Sequence, residues 1–175
     1  MTLSNSPGAR PAITLIDAAW VTLFAAVCAG STDLVYAASF AKAGVTMGGV
    51  MKAIASGLLG PAAFKGDASV VVLGAVCHYG ILWVAGAVFV VAGRFWPIVF
   101  QRPLISGLAF GIGIFVVMKI VVKLSLAPFG MSSDIEQIIR NLLVHIFLVG
   151  IPMAIIIVLG LFRPASAAIA GKPSV

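Results

Sequence analysis

Charged residues are scarce in this chain. Asp, Glu, Lys and Arg make up 9% of the 175 residues, and only five residues are acidic, whereas soluble domains average about 25% charged residues. Hydrophobic residues reach 62%. A composition so poor in charge excludes an ordinary soluble domain and predicts an all-α integral membrane protein.

The sequence also lacks the signatures of catalysis and of nucleic-acid binding. It contains no phosphate-binding loop, no HExxH and no GxSxG motif, so we expect no enzymatic activity. The net charge of +6 comes from scattered basic residues, a pattern typical of membrane-flanking anchors and not of a nucleic-acid partner. Cys28 and Cys77 lie in apolar runs without a CxxC motif, so we expect free thiols, with a bridge between them as the alternative.

Four apolar runs are each long enough to cross the hydrocarbon core of a bilayer, which takes about 20 helical residues. We predict that they form a four-transmembrane-helix bundle, a single membrane domain over 13–162, between flexible ends at 1–12 and 163–175. An even number of spans places both termini on the same side of the membrane. The predicted spans are 13–40, 68–92, 104–126 and 138–162.

The connection between the first two predicted spans, 41–67, is apolar but broken by six glycines and Pro61. Within it, apolar residues recur at helical spacing, with Lys52 and Ser56 on the opposite side. This pattern predicts a short helix that lies at the membrane interface or, alternatively, a re-entrant element packed in the bundle.

Small and helix-breaking residues predict the local geometry of the last two spans. Gly107 and Gly111 are four residues apart, a spacing that lets two helix backbones approach closely, with the partner either inside this chain or in another. Pro152 lacks a backbone N–H, so it should free the carbonyl of Leu148 and kink the fourth span.

The start of the fourth span has the pattern of a capping box. In Ser133-Asp134-Ile135-Glu136, the Ser133 hydroxyl can accept a hydrogen bond from the backbone N–H of Glu136. Glu136 and Arg140 are four residues apart and are expected to pair on the helix surface. The fourth span is therefore predicted to begin near Asp134 with an exposed polar turn.

Basic residues near the spans predict the orientation of the chain. Cytoplasmic loops carry an excess of Lys and Arg, and the side that holds the termini has arginines with few acids beside them. We therefore expect both termini in the cytoplasm. The basic residues on that side are Arg10, Arg94, Arg102, Arg163 and Lys172.

Five ionisable residues lie inside the predicted spans, where a charge costs a few kcal/mol or more and points to function or to a specific pairing. Counted along each helix, all five fall in the half of the membrane opposite the termini, together with Tyr36 and Tyr79. We predict that they form a polar cluster that serves transport or holds helices together. Its members are Asp33, His78, Lys119, Lys123 and His145.

Within this polar cluster, an ion pair between Asp33 and Lys119 is the expected contact, since Asp33 is the only carboxylate at that level of the spans. Lys123 is expected to extend to the lipid headgroups or, alternatively, to contact Asp134 or Glu136.

The histidines of the polar cluster leave three interpretations open. Each can be a neutral side chain hydrogen-bonded across helices, or a proton-handling group, because an imidazole titrates near neutral pH. His78 and His145 are also weak candidates for a haem b iron or, with Cys77 and Met118, for copper. We expect no metal and no cofactor, since nothing in the spacing requires one.

Three stretches resemble a group of small uncharacterised bacterial inner-membrane proteins, and their layout resembles that of the YagU-like proteins. The stretches are GGVMKAIASGLLGPAAFKG, LGAVCHYGILWVAGAVFVVAGRFWP and KLSLAPF, and the resemblance covers Gly44–Val158. It implies a four-span fold in the bacterial cytoplasmic membrane. It brings no established biochemical activity, so no functional residue is transferred from it.

The sequence supports three hypotheses for function. The first is a non-enzymatic membrane component that works as a homo-oligomer or within a larger membrane complex, since its glycine-rich helix faces suit helix association. The second is a transporter or channel for a small solute, an anion or protons that uses the polar cluster. The third is a b-type haem or copper protein.

Overall fold

The computed structural model describes residues 13–40, 44–128 and 134–162, and within these ranges every regular element is a helix. The predicted flexible ends at 1–12 and 163–175, and the predicted cap Ser133, lie outside the described residues. A 3₁₀ turn, Gly60–Lys65, extends α2, and a π-helical segment, His145–Gly150, joins α6 to α7. The helices are α1 (Leu15–Ser39), α2 (Met47–Leu59), α3 (Ala68–Phe95), α4 (Ile98–Gln101), α5 (Pro103–Leu124), α6 (Ile135–Val144) and α7 (Ile151–Leu161).

Five helical segments of the described chain are long and apolar enough to cross a membrane, which indicates an integral membrane protein. Four of them coincide with the predicted spans, with ends that differ by up to three residues. The fifth is Met47–Lys65, in the segment that the sequence predicted as a connection. By length and composition, this segment is a further candidate span.

Short polar side chains begin several of these helices. Thr14, Thr46 and Asp67 each accept a hydrogen bond from a backbone N–H in the first turn of the helix that follows. At Asp67, both the hydroxyl and the N–H of Ser69 donate to the carboxylate. These hydrogen bonds hold the pKa of Asp67 below its ordinary value, because they favour the charged form.

Helix α6 begins where the sequence predicted, next to Asp134. Asp134 is the N-cap, and its carboxylate accepts from the backbone N–H of Glu136 at 3.0 Å. The predicted hydrogen bond from this N–H to Ser133 lies outside the described residues and stays a prediction. The predicted pairing of Glu136 with Arg140 is confirmed, with 3.5 Å between Oε1 and Nη1.

Helix α2 packs on the bundle. Its residues Met51, Ala55 and Ser56 are buried, and a Cβ added to Gly74 of α3 would lie 2.7 Å from the Met51 carbonyl carbon. The chain beyond α5 also holds α2, because the N–H of Leu126 donates to the carbonyl oxygen of Gly57 at 3.0 Å.

Small residues form much of the core. Ala25, Ala26 and Ala29 of α1 are 0%, 0% and 1% exposed, and they share one apolar cluster with Met153 and Ile157 of α7. Many large apolar side chains point outward instead, in the manner of surface that meets lipid. Small inward residues allow the close helix packing on which membrane bundles depend.

The glycines of α5 meet the π-helical segment. A Cβ on Gly111 would lie 2.5 Å from the carbonyl oxygen of His145, and one on Gly107 would lie 2.7 Å from the Cα of Ile151. Gly150 lies against the backbone of both glycines. The close approach that the Gly107–Gly111 spacing predicted therefore has a partner inside the chain.

The backbone before Pro152 is π-helical. The N–H of Ile151 donates to the carbonyl of Ile146, five residues earlier, which is the π-helical pattern. The carbonyl of Leu148, which Pro152 cannot serve, lies 3.2 Å from the hydroxyl of Thr32 on α1. That hydroxyl shares its single hydrogen between Leu148 and the Ala29 carbonyl of its own helix, at 2.8 Å. A neighbouring helix thus satisfies the group that the proline frees.

We expect Thr32→Val to lower the free energy of unfolding by about 1 kcal/mol, the usual size of a hydrogen bond between membrane helices. The reason is that the carbonyl of Leu148 loses its partner. Reversible unfolding in mixed micelles of SDS and a mild detergent measures this change. The control is Ser39→Ala, whose hydroxyl donates to the Val35 carbonyl of its own helix; an equal loss in both variants would contradict the prediction.

Candidate functional site

Three helical segments bring one carboxylate and two imidazoles together. Asp33 belongs to α1, His78 to α3 and His145 to the π-helical segment, and we call these three residues the Asp–His cluster. Oδ2 of Asp33 lies 4.0 Å from Nε2 of His78, and their side chains are 22% and 11% exposed. The imidazole of His145 is close enough to interact electrostatically with the same carboxylate. The cluster is therefore largely shielded from the surface.

Backbone carbonyls orient both imidazoles. Nε2 of His78 lies 3.1 Å from the carbonyl oxygen of Gly30 on α1, and Nδ1 of His145 lies 2.8 Å from the carbonyl oxygen of Asn141. A carbonyl can only accept, so each of these nitrogens carries a proton. The second nitrogen of each neutral ring, Nδ1 of His78 and Nε2 of His145, is then left as a proton acceptor.

The predicted ion pair between Asp33 and Lys119 is wrong, because Asp33 makes its contact with His78. Nζ of Lys119 lies 5.3 Å from the centroid of the Phe115 ring, and Phe115 meets the His145 ring edge-on at 5.7 Å between centroids. Helix packing explains the difference: α1 packs on α3, α7 and the π-helical segment but hardly touches α5, which carries Lys119. Among the described contacts, Phe115 links Lys119 to the His145 ring.

The other predicted site residues occupy different surroundings. The hydroxyls of Tyr79 and Ser31 are 3.1 Å apart, which links α3 to α1. The hydroxyl of Tyr36 is buried and has no hydrogen-bond partner among the described residues, and its ring stacks on Phe40 with 4.6 Å between centroids. Lys123 is exposed near the end of α5.

Sequence reasoning missed the polar residues that surround Asp33. Ser31 and Thr32 bond to α3 and to the Leu148 carbonyl, and Phe115 lies between Lys119 and His145. One signal was present in the sequence: the carbonyl freed by Pro152 requires a donor at the same membrane depth, and few hydroxyls lie at that level. The position of Phe115 depends on how α5 packs, which no local pattern specifies.

The carboxylate and the imidazoles of the Asp–His cluster offer acid–base chemistry, and the described residues do not extend it to metal binding. Cys28 and Cys77 are both free. Over 13–40, 44–128 and 134–162, no group of three or more His, Cys, Asp or Glu side chains is arranged to hold a metal ion. The described residues thus add no support for a copper site at Cys77, His78 and His145.

No protein-family model, no curated protein and no solved structure matches this chain. The resemblance to YagU-like proteins therefore stays a prediction. The Asp–His cluster, built from three helical segments, is the main basis for a function.

Proposed function

We propose that this protein is a non-enzymatic, multi-pass membrane protein whose Asp–His cluster takes up and releases protons during the transport of a small solute, an anion or protons. The 4.0 Å contact between Asp33 and His78 carries the proposal. A carboxylate inside a membrane helix is costly and marks proton or substrate pathways. Its partner here is an imidazole, a group that can gain and lose a proton, whereas a purely structural ion pair is better served by Lys or Arg, which keep their charge.

The orientation of the rings supports proton exchange. Protonation of His78 at Nδ1 makes the ring cationic and strengthens its attraction to Asp33, and deprotonation removes that attraction. His145 is a second base beside the same carboxylate, and it lies at the start of the π-helical segment. Single-turn π-helical geometry occurs often at functional sites.

We also propose that the chain crosses the bacterial cytoplasmic membrane four times, with both termini in the cytoplasm. The 13 residues of α2 span about 20 Å at 1.5 Å per residue, so the segment Met47–Lys65 reaches a hydrocarbon core of about 30 Å only with its 3₁₀ extension. Gly60 ends α2 with a φ of 60°, a conformation that favours glycine. On this topology α2 and its 3₁₀ extension lie at the interface or re-enter the bundle, and the Asp–His cluster lies in the outer half of the membrane.

Proton flux into liposomes tests the proposed function. Purified protein is reconstituted into liposomes that contain a pH-sensitive dye, and an external acid pulse is applied. We expect faster acidification than in protein-free liposomes, and we expect Lys119→Met combined with His145→Phe to slow it. Flux equal to that of protein-free liposomes, with and without candidate small anions outside, would overturn the proposal.

A second candidate function is that of a structural component in a homo-oligomer or a larger membrane complex. The supporting observation is that α1 uses polar groups to bind its neighbours: Gly30 with His78 at 3.1 Å, and Thr32 with Leu148 at 3.2 Å. In this case the Asp–His cluster holds helices together. Native mass measurement in mild detergent tests it; a lone monomer without a co-purifying protein counts against it.

A further inference from the structure

A groove lies between α1 and α6 on the outside of the bundle. Its volume is about 420 Å³, within the range of roughly 300–1,000 Å³ that is usual for small-molecule sites. Leu143, Phe147 and Leu148 form apolar walls, and Tyr36 lines the groove as well. The charged groups of Glu136 and Arg140 pair at the rim of this apolar lining. We call this feature the α1–α6 groove. Its chemistry is that of an amphiphile, with the polar groups near one end.

The dimensions of the α1–α6 groove match one leaflet of a bilayer. From Glu136 to Leu148, α6 and the π-helical segment advance twelve residues, or about 18 Å at 1.5 Å per residue. Half of a hydrocarbon core is about 15 Å. The polar end lies at the start of α6 and near the end of α1, where helices of this length reach the headgroups. A lipid in that leaflet has the same polarity along its length.

The polar end is arranged around two aromatic rings. The guanidinium carbon of Arg140 lies 5.7 Å from the Phe40 ring centroid, and Phe40 stacks on Tyr36. The Tyr36 hydroxyl is buried without a hydrogen-bond partner among the described residues, which is unfavourable unless an acceptor completes it. Because this hydroxyl is buried, the guanidinium of Arg140 is the donor at this end, and a phosphate oxygen beside it would accept from it.

The carboxylate of Glu136 decides between lipid headgroups. It lies 3.5 Å from Nη1 of Arg140, so a cationic and an anionic group stand side by side. A headgroup with only a negative charge would meet repulsion from Glu136. A phosphate with an ammonium group next to it complements both charges, and the ammonium has N–H groups to donate.

We propose that the α1–α6 groove binds one phosphatidylethanolamine molecule. An acyl chain lies along Leu143 and Phe147, the phosphate accepts from Arg140, and the ammonium donates to Glu136. A choline headgroup has no N–H to donate, and a glycerol headgroup has no positive charge. This site is separate from the Asp–His cluster and does not depend on proton transport.

Native mass spectrometry of the full chain in mild detergent tests the proposal. The protein is titrated with lipids that have the same acyl chains and ethanolamine, choline or glycerol headgroups. We expect the ethanolamine lipid to bind on the order of tenfold more tightly than the other two, the effect of one charge-assisted hydrogen bond. Equal binding of all three lipids, or tightest binding of the glycerol lipid, would overturn it.

Variants at exposed positions keep the test independent of folding. Arg140→Gln should remove most of the ethanolamine-lipid binding, and Glu136→Gln should remove the preference over the choline lipid while binding remains. Arg94→Gln, at the end of α3, is the matched control for Arg140. Ethanolamine-lipid binding that is unchanged in Arg140→Gln would show that the lipid lies elsewhere.

Discussion

Replacing Gly111 with alanine is expected to lower the free energy of unfolding by about 2 kcal/mol or more, the cost of overpacking a dense interior. The added Cβ would lie 2.5 Å from the carbonyl oxygen of His145 and 2.6 Å from the Cα of Ile146. Both are backbone atoms of a helical segment, so no side-chain rotation relieves the contact. Helix α5 must therefore move away from the π-helical segment.

Gly113 provides a matched control on the same helix. A Cβ at Gly113 has no neighbour within 4 Å, so Gly113→Ala adds the same atom and meets open space. We expect a change within about 1 kcal/mol for this variant, in the stabilising direction, because alanine restricts the unfolded chain. Unfolding of both variants by SDS in mixed micelles measures the difference, and equal effects would contradict the packing of α5 described above.

The same substitution also links packing to the site. Gly111 touches His145 through the backbone, so displacement of the π-helical segment should move the His145 ring relative to Asp33. We therefore expect Gly111→Ala to reduce proton flux in liposomes, even where the variant folds, whereas Gly113→Ala keeps the flux of the unaltered protein.

Much of the fold can be predicted from the sequence, because membrane-spanning helices are recognised by their length and hydropathy. The long apolar runs match α1, α3, α5 and α6–α7 within a few residues, since a helix must satisfy its own backbone hydrogen bonds in lipid. The segment Met47–Lys65 was harder to predict, because its glycines weaken the apolar helical pattern. One face of this segment nevertheless packs on α3, at Gly74. Whether such a segment crosses the membrane depends on tertiary packing.

The candidate site was only partly predictable. Counting depth along the helices placed Asp33, His78 and His145 at one level, and the structure brings these three together. Lys119 lies at the same level but pairs with Phe115 instead, because depth says nothing about which face of a helix meets which neighbour. The rotation of α5 is set by Gly107 and Gly111 against Gly150, a contact between distant parts of the chain.

Asp33→Asn is expected to reduce proton flux in liposomes to the level of protein-free liposomes. Asparagine has the shape of aspartate but cannot bind or release a proton near neutral pH, so the charge facing His78 is lost. Asp17→Asn is the matched control, since Asp17 lies on the same helix, near its other end, where its carboxylate accepts from the Thr14 hydroxyl at 2.6 Å. We expect this control variant to retain full flux.

His78→Gln separates a proton-binding role for the pair from a structural one. Glutamine can still donate to the Gly30 carbonyl, which His78 contacts at 3.1 Å, but it does not titrate. If the Asp–His cluster handles protons, this variant folds normally and its proton flux falls well below that of the unaltered protein. If the contact only joins α1 to α3, both Asp33→Asn and His78→Gln lower the free energy of unfolding and leave the proton flux per folded protein unchanged. That result would show that the Asp–His cluster takes no part in transport.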